Sequence, residues 1–463
     1  MNQQSNPGQA GAGVLSERNP NYLLTWSLHP GSRAVLFLLP VIVLCAWLAY
    51  EGIRVAWATS KLDVFSIPEI KHAIRLDPDN PDLLHWLGLV YTSVPTEINP
   101  AESVKYIREA ARLNPGRWEY WSDLGTSCDF LGDTPCADDA FHRAEMLNPM
   151  TPAVQWAVGN HYLLTNREEM AFPYFRKLLE KDLDYLDPTF RLCMRAVRDP
   201  QAIYEGAIPQ GKNSSARFAF LVFLTSSGNY DDAMRIWGKM ISGPDRTPNL
   251  DSVKPFLEFL IDHNKIQDAR TVWDDLAHTG AIPPSPVQNG ANLLYDPGLA
   301  LPPLNTGFAW HMNESPELQF DSSETCVHEG SKCLRINFAV GRNADYDLLE
   351  QVVVVKPKTR YQLVAAVRSD NLTSDSGPRL RVVEMGCTAC PIRVSDATLG
   401  TTAWHPVDVA FETQEQTQAV RISFWRPQGQ TSLGDITGTV WVDNLLLRTV
   451  DATEPGANPA RGK

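Results

Sequence analysis

The chain has 463 residues, and 41 Lys and Arg against 54 Asp and Glu give it a net charge of -13. This balance excludes a typical nucleic-acid binder, because neutralising phosphates requires a basic surface. Hydrophobic residues at 43% and aromatic residues at 9% are enough for packed cores. We therefore expect most of the chain to fold, as several domains rather than one.

An uncharged apolar run of seventeen residues, 34–50, lies near the amino terminus. As a helix it covers about 26 Å, close to the hydrocarbon thickness of a bilayer. We predict a transmembrane signal anchor over 34–58, after a flexible cytoplasmic tail over 1–33. A cleaved signal peptide is one alternative, because Ala56-Trp57-Ala58 fits the small-x-small cleavage pattern. A buried helix of a soluble protein is another, although the run has no polar stripe.

Six of the eight cysteines form close pairs, namely Cys128 with Cys136, Cys326 with Cys333, and Cys387 with Cys390. No histidine lies at zinc spacing beside them, so the pairs favour disulfides, which persist outside the cytosol. The alternative is that six reduced thiols are spaced by coincidence. We expect the body of the protein to be extracytoplasmic.

A helical repeat follows the anchor. Its clearest copy reads Trp121-x-x-Leu124-Gly125-x-x-Cys128, followed by Ala137, Phe141, Ala144 and Pro149. Weaker copies lie upstream around Gly88 and downstream around Gly159. Because of the spacing of these residues, 61–280 resembles a tetratricopeptide-repeat solenoid, an all-α fold of stacked helix pairs.

The resemblance implies that a protein partner binds on the concave face of the first helices. At positions matching that face the sequence has His85, Ser122, Asp129, Trp156 and Asn160. The alternative is that this groove packs against the protein's own second domain.

After a Pro-rich linker at 281–290 the apolar spacing changes to alternation, as in residues 333–338 and 420–425. This period predicts an all-β sandwich over 291–450, before a disordered tail at 451–463. The succession of strands resembles the jelly-roll domains of carbohydrate-binding modules and their galactose-binding-like relatives. The resemblance implies a glycan surface, for which the candidates are Tyr346, Glu384, Arg421 and Trp425. The alternative is that Trp425 packs under a loop or on the solenoid.

The sequence lacks common metal-binding, catalytic and phosphate-binding motifs. It has neither a His-Glu-x-x-His zinc motif nor a Gly-x-Ser-x-Gly nucleophile elbow, and Gly206-x-x-x-x-Gly211-Lys212 continues with Asn213, where a phosphate loop needs Ser or Thr. We expect no cofactor and no metal.

The combination of anchor, repeats and sandwich resembles accessory proteins of bacterial envelope polysaccharide assembly or export. The predicted function is a non-catalytic scaffold in the bacterial inner membrane, single-pass and mostly periplasmic, that contacts lipid through residues 34–58. The alternatives are a glycan-binding protein acting on a polysaccharide through its sandwich, and an enzyme with an unrecognised site between the domains.

Overall fold

The fold was obtained as a computed structural model that describes residues 33–62, 64–211, 214–243, 248–285, 292–322, 327–328, 331–387, 389–431 and 434–450. The chain divides into two compact units, Met1–Pro149 and Met150–Lys463. The predicted tail at 1–33 except for residue 33, the predicted tail at 451–463, and residues 286–290 of the Pro-rich linker lie outside the described residues. The fold class is confirmed: an apolar helix, then helical repeats, then two antiparallel sheets that form a sandwich.

The first helix, α1, covers Arg33–Thr59 and contains Pro40. Its segment Leu38–Thr59 is long and apolar enough to cross a membrane, which no other helix in the described part of the chain is. A signal peptide or a single membrane anchor both have these properties.

Five further helices complete the first unit: α2 (Ile67–Leu76), α3 (Pro81–Ser93), α4 (Pro100–Leu113), α5 (Trp118–Leu131) and α6 (Thr134–Leu147). Local chemistry explains where they start. Asn80, Asn99 and Asp133 each accept a hydrogen bond from a backbone N–H of the first turn, and Pro occupies an opening position of the same three helices. Antiparallel pairing of α3 with α4 and of α5 with α6 gives the predicted hairpins.

In its described residues the second unit continues with eight α-helices: α7 (Pro152–Leu164), α8 (Glu168–Leu179), α9 (Leu186–Ala196), α10 (Pro200–Gly206), α11 (Ser215–Ser226), α12 (Tyr230–Ser242), α13 (Leu250–Asp262) and α14 (Ile266–His278). Gly159 in α7 lies so close to α8 that a Cβ there would be 2.8 Å from Cζ of Phe175. The repeat pattern therefore marks a real close approach of the two helices.

The sandwich has strands β1 (His311–Met312), β2 (Leu318–Asp321), β3 (Val327–His328), β4 (Ser331–Lys332), β5 (Leu334–Arg342), β6 (Tyr346–Val354), β7 (Arg360–Leu372), β8 (Arg379–Glu384), β9 (Arg393–Val394), β10 (Gly400–Glu412), β11 (Ala419–Arg426) and β12 (Ile436–Thr449). The first sheet has the order β1-β6-β11-β8-β9, and the second has the order β10-β7-β12-β5-β2. Alternate apolar residues of both sheets face inward and form one core, which includes Ile336, Leu363, Ile422, Phe424 and Val440.

Within the second unit a loop of the sandwich completes the core of the last helices. Phe308 and Ala309 are buried in the same cluster as residues of α13 and α14. Glu258 of α13 accepts hydrogen bonds from the Gly307 backbone N–H at 2.8 Å and from the Thr306 hydroxyl at 2.6 Å. Gly307 has φ +63°, and a Cβ there would lie 2.5 Å from the Trp273 ring. The loop and the helices are thus built to fit each other.

Two of the predicted disulfides are present, Cys128–Cys136 across the α5–α6 turn and Cys387–Cys390 after β8. Cys326 lies outside the described residues, so its pairing with Cys333 stays a prediction. Cys45 and Cys193 are the free cysteines in the described part of the chain.

Candidate binding surfaces

A polar network joins α3 and α5, the first helices of two successive hairpins. His85 Nε2 lies 2.7 Å from Oδ2 of Asp123, and its ring packs on Tyr120 with 4.7 Å between centroids. One turn earlier, Asp82 accepts hydrogen bonds from the Tyr120 hydroxyl and, at 2.8 Å, from Arg117. Burial, followed by the bond to Asp82, raises the pKa of the Tyr120 phenol, which therefore stays protonated as a donor. The network holds the two helices side by side.

The network is accessible to a partner. The side chains of Arg117, Asp82 and Asp123 are 45%, 42% and 35% exposed, whereas that of His85 is 15% exposed. Paired charges that keep this much contact with water form a polar surface rather than a buried core. The sequence pattern identified His85 but not its partner Asp123.

The other predicted groove residues have different environments. Ser122 is buried in α5, and Asp129 is half-buried near the end of the same helix. In the second unit Trp156 and Asn160 are half-buried in α7, where Trp156 packs against Tyr185 with 5.5 Å between ring centroids. Ser122 offers a partner little surface, and Trp156 is already engaged within its own unit.

Exposed apolar side chains on the first unit were not predicted from the sequence. Phe130 is 64% exposed and Leu131 is 47% exposed, and both lie in the last turn of α5, within the segment closed by the Cys128–Cys136 disulfide. Large apolar side chains on a restrained turn are typical anchors for a protein partner. They escaped notice because the repeat pattern specifies the packed positions and not the ends of helices.

On the sandwich, Trp425 lies on the outer face of the first sheet. Its Nε1 donates to Oδ1 of Asp345 at 2.6 Å, and the guanidinium carbon of Arg381 lies 4.6 Å from its ring centroid. Arg381 also donates to Ser423 at 3.0 Å and forms an ion pair with Asp347. This cluster combines an aromatic ring with hydrogen-bonding groups, as sugar-binding surfaces do. The ring is only half-exposed, because Arg381 covers part of it.

The other predicted glycan residues do not all join this cluster. Arg421 is half-exposed and lies two register positions from Ser423 on β11. Tyr346 is buried and its ring packs near Phe338, at 6.3 Å between centroids. Glu384 is also buried, and its carboxylate accepts hydrogen bonds from the Gln414 backbone N–H at 2.9 Å and from the Thr417 hydroxyl. Tyr346 and Glu384 therefore stabilise the sandwich and present almost no surface.

A second aromatic cluster lies on the outer face of the opposite sheet. Trp441 of β12 is paired in register with Arg335 and Arg368, and the Arg368 guanidinium carbon is 4.7 Å from its ring centroid. Trp441 was not among the residues predicted for a glycan surface. It offers a matched comparison for Trp425.

A cavity of about 290 Å³ lies in the second unit where α14 meets the sandwich. Its lining includes Trp273, Tyr295 and Phe308, and among its described lining residues Asp274 is the one carboxylate. Asp274 forms an ion pair with Arg270 at 2.9 Å. The described lining therefore brings together no pair of carboxylates for acid–base chemistry.

No family model and no curated protein matches this sequence. Solved structures give local similarities: MamA AMB-1 is 27% identical over 28% of this chain and 75% of its own, with a TM-score of 0.24. Another MamA structure is 16% identical over 46% of this chain and 94% of its own, with a TM-score of 0.28. The CBM22-1–GH10 modules of a Clostridium thermocellum xylanase complexed with xylohexaose are 10% identical, covering 30% of this chain and 26% of theirs, with a TM-score of 0.23.

Proposed function

We propose that this protein is a non-catalytic, membrane-anchored scaffold whose helical repeats bind a protein partner. The observation that carries the proposal is the exposed polar network of α3 and α5, where Asp82, Arg117 and Asp123 are fixed in position and remain in contact with water. Preorganised charged groups on a rigid helical surface cost little entropy on binding and select partners by charge.

Charge reversal tests this surface. Asp123→Arg in the full chain, purified in detergent, should weaken retention of the protein partner at least tenfold. The substitution replaces a negative charge beside His85 by a positive one, on a surface that we propose selects its partner by charge. Glu109→Arg is the matched control, since Glu109 is a similarly exposed acidic residue, paired with Arg112, on the second helix α4. Equal retention by both variants and the wild-type chain would refute the proposed surface. Phe130→Ser tests, in the same assay, the exposed apolar side chains beside the Cys128–Cys136 disulfide.

The anchor is part of the proposal. The signal-peptide alternative requires cleavage after Ala58, but in a signal peptide the cleavage pattern directly follows the apolar run, whereas here Glu51 and Arg54 lie between them. In the folded protein Ala58 is buried with Ala73 and Leu83, so the residues up to 58 are part of the fold. We expect the mature protein in the membrane fraction to retain residues 34–58. A mature amino terminus at residue 59, found by mass spectrometry, would overturn this part.

An extracytoplasmic location of the body is supported by the Cys128–Cys136 and Cys387–Cys390 disulfides. Trapping of free thiols in intact cells before lysis should leave these four cysteines unmodified. Complete modification of all four would place the body in the cytosol. A role in envelope polysaccharide assembly or export rests on the resemblance of the domain combination, and loss of surface polysaccharide after deletion of the gene tests it.

Glycan binding by the sandwich is a second candidate function, favoured by the Trp425 cluster with Arg381, Ser423 and Asp347. Retention of the full chain on immobilised polysaccharides should fall at least tenfold with Trp425→Ala. Trp441→Ala is the matched control, because Trp441 is stacked by an arginine on the opposite sheet. If the two variants and the wild-type chain bind every glycan equally or not at all, this function is refuted.

A further inference from the structure

The last turns of α1 are packed on α2 and do not simply leave the membrane as a tether. Ala58 is fully buried with Ala73 and Leu83, and the Trp57 ring meets the His72 ring edge-on at 5.2 Å. Lys61, just after α1, forms an ion pair with Glu69 at 3.0 Å. The end of the apolar helix is therefore packed against the first helix of the repeats.

These contacts fix the direction of α2. Its start, at Glu69, lies beside Lys61, its middle, at His72, lies beside Trp57, and its end lies beside Arg54, which donates a hydrogen bond to the Leu76 carbonyl. Residues farther along α2 thus contact residues earlier in the chain at the end of α1. Helix α2 therefore runs antiparallel to α1 and returns toward the apolar segment.

Arg54 marks the level of the membrane surface in this arrangement. It forms an ion pair with Glu51 at 2.5 Å, and these are the first charged residues after the apolar run. The uncharged run 34–50 would cover about 26 Å as a helix, close to the hydrocarbon thickness of a bilayer, and Glu51 and Arg54 follow within about one turn. The end of α2 at Leu76 is consequently level with the lipid headgroups.

The loops that follow belong to the same end of the unit. The loop 77–80 leads directly from Leu76 into α3, so the start of α3 is also at this level. Arg117, in the loop before α5, donates to Asp82 in the first turn of α3 at 2.8 Å. The two loops 77–80 and 114–117 form one end of the unit, which we name the proximal rim.

The chemistry of the proximal rim suits a headgroup layer. Pro78, Asp79 and Arg117 are exposed in its loops. Next to the loops, Arg75 and Arg112 are exposed in the last turns of α2 and α4, and Trp118 is half-buried at the start of α5. Arginines bind lipid phosphates, and a rim with both positive and negative charges is compatible with zwitterionic headgroups. Tryptophan also prefers to lie at the membrane interface. Opposite the rim, about 20 Å away along the 13 residues of α3, lies the turn before α4.

We propose that the proximal rim rests in the headgroup layer of the membrane and that the packed end of α1 holds the helices of the first unit upright on the bilayer. This inference depends on the proposed membrane anchor. It adds a rigid joint and a lipid-contacting surface. Arg117 and Asp82 of the α3–α5 network then lie at the headgroup level, and His85 and Asp123, about one helical turn farther along, are presented above it at a set height.

Depth-dependent quenching tests the proposal with the full chain. In a Cys45→Ala background, a fluorophore is attached either to Asp79→Cys on the rim or to Glu97→Cys in the exposed turn between α3 and α4. Both sites are exposed acidic loop positions, so they are matched apart from height. Vesicles of phosphatidylcholine and phosphatidylglycerol carry a spin label on the lipid headgroup. We expect at least threefold stronger quenching at position 79 than at position 97.

The outcomes are distinct. Equal quenching at the two positions in chains that float with the vesicles would overturn the rigid joint while leaving the anchor intact. Chains that do not float with the vesicles would overturn the anchor and this inference together. Ala58→Glu should separate α1 from α2 and reduce the difference between the two positions without preventing flotation. An undiminished difference would refute the role of the Ala58 packing.

Discussion

The close approach of α7 and α8 gives a sharp test of the helical packing. Gly159→Ala would place a Cβ 2.8 Å from Cζ and 2.9 Å from Cε1 of Phe175, a fully buried ring. Real carbon atoms do not approach this closely, so the ring or the helix must move. Overpacking of this kind costs about 1–3 kcal/mol, whereas alanine in place of glycine inside a helix gains about 1 kcal/mol. We expect a net loss of stability of up to about 2 kcal/mol.

Gly238→Ala is the control in the same unit. Gly238 lies inside α12 and is exposed, and a Cβ at this position would have no atom within 4 Å outside its own helix. Only the helix-propensity gain remains, so this variant should be more stable by about 0.5–1 kcal/mol. The same substitution should therefore lower the stability at Gly159 and raise it at Gly238.

Urea unfolding of the full chain in detergent, followed by circular dichroism, measures both midpoints. The double variant Gly159→Ala/Phe175→Leu should lose less stability than the two single variants together, because the smaller side chain at position 175 makes room for the methyl group. If Gly159→Ala raised the midpoint as much as Gly238→Ala does, the packing described for α7 and α8 would be wrong.

Three further predictions concern cysteines and the loop that joins the sandwich to the helices. Replacing Cys128 and Cys136 by Ser should cost about 2.5 kcal/mol in a urea titration, from the closure entropy of a loop of eight residues; an unchanged midpoint would contradict it. Burial raises the pKa of Cys193 from 9.0 to about 12. Between these pH values the unfolded thiol has lost its proton and the folded thiol keeps it, so stability should fall as pH rises through the window and alkylation at pH 8 should require unfolding. Rapid labelling of Cys193 in the native chain would contradict this. Glu258→Ala leaves the buried Gly307 N–H without its acceptor, which should cost about 1–3 kcal/mol and speed hydrogen exchange at that amide. Unchanged exchange would show that the loop is held in another way.

Local patterns were sufficient to predict the elements of the fold. The repeat spacing around Gly125 and Gly159 predicted helix pairs, because a small residue facing an aromatic one is required wherever two helices approach closely. Alternation over 420–425 predicted a strand, and the structure has β11 there, with Ile422 and Phe424 buried. Such patterns report which face of an element is covered.

What covers a face is decided by the tertiary structure. Tyr346 and Glu384 have the composition of a binding surface, but strand register and the loop at Gln414–Thr417 enclose them. Asp123 became a candidate only because the stacking of α3 and α5 brings it to His85, 38 residues away.

The sequence by itself determined the apolar helix, the helical repeats and the β-sandwich, since each follows from periods of a few residues. Only the tertiary structure decided that α1 packs on α2, that Phe308 enters the core of the last helices, and that Trp425 rather than Tyr346 lies on a surface. The reason is physical: hydrophobic burial is not directional, so a pattern requires a partner surface without specifying which one.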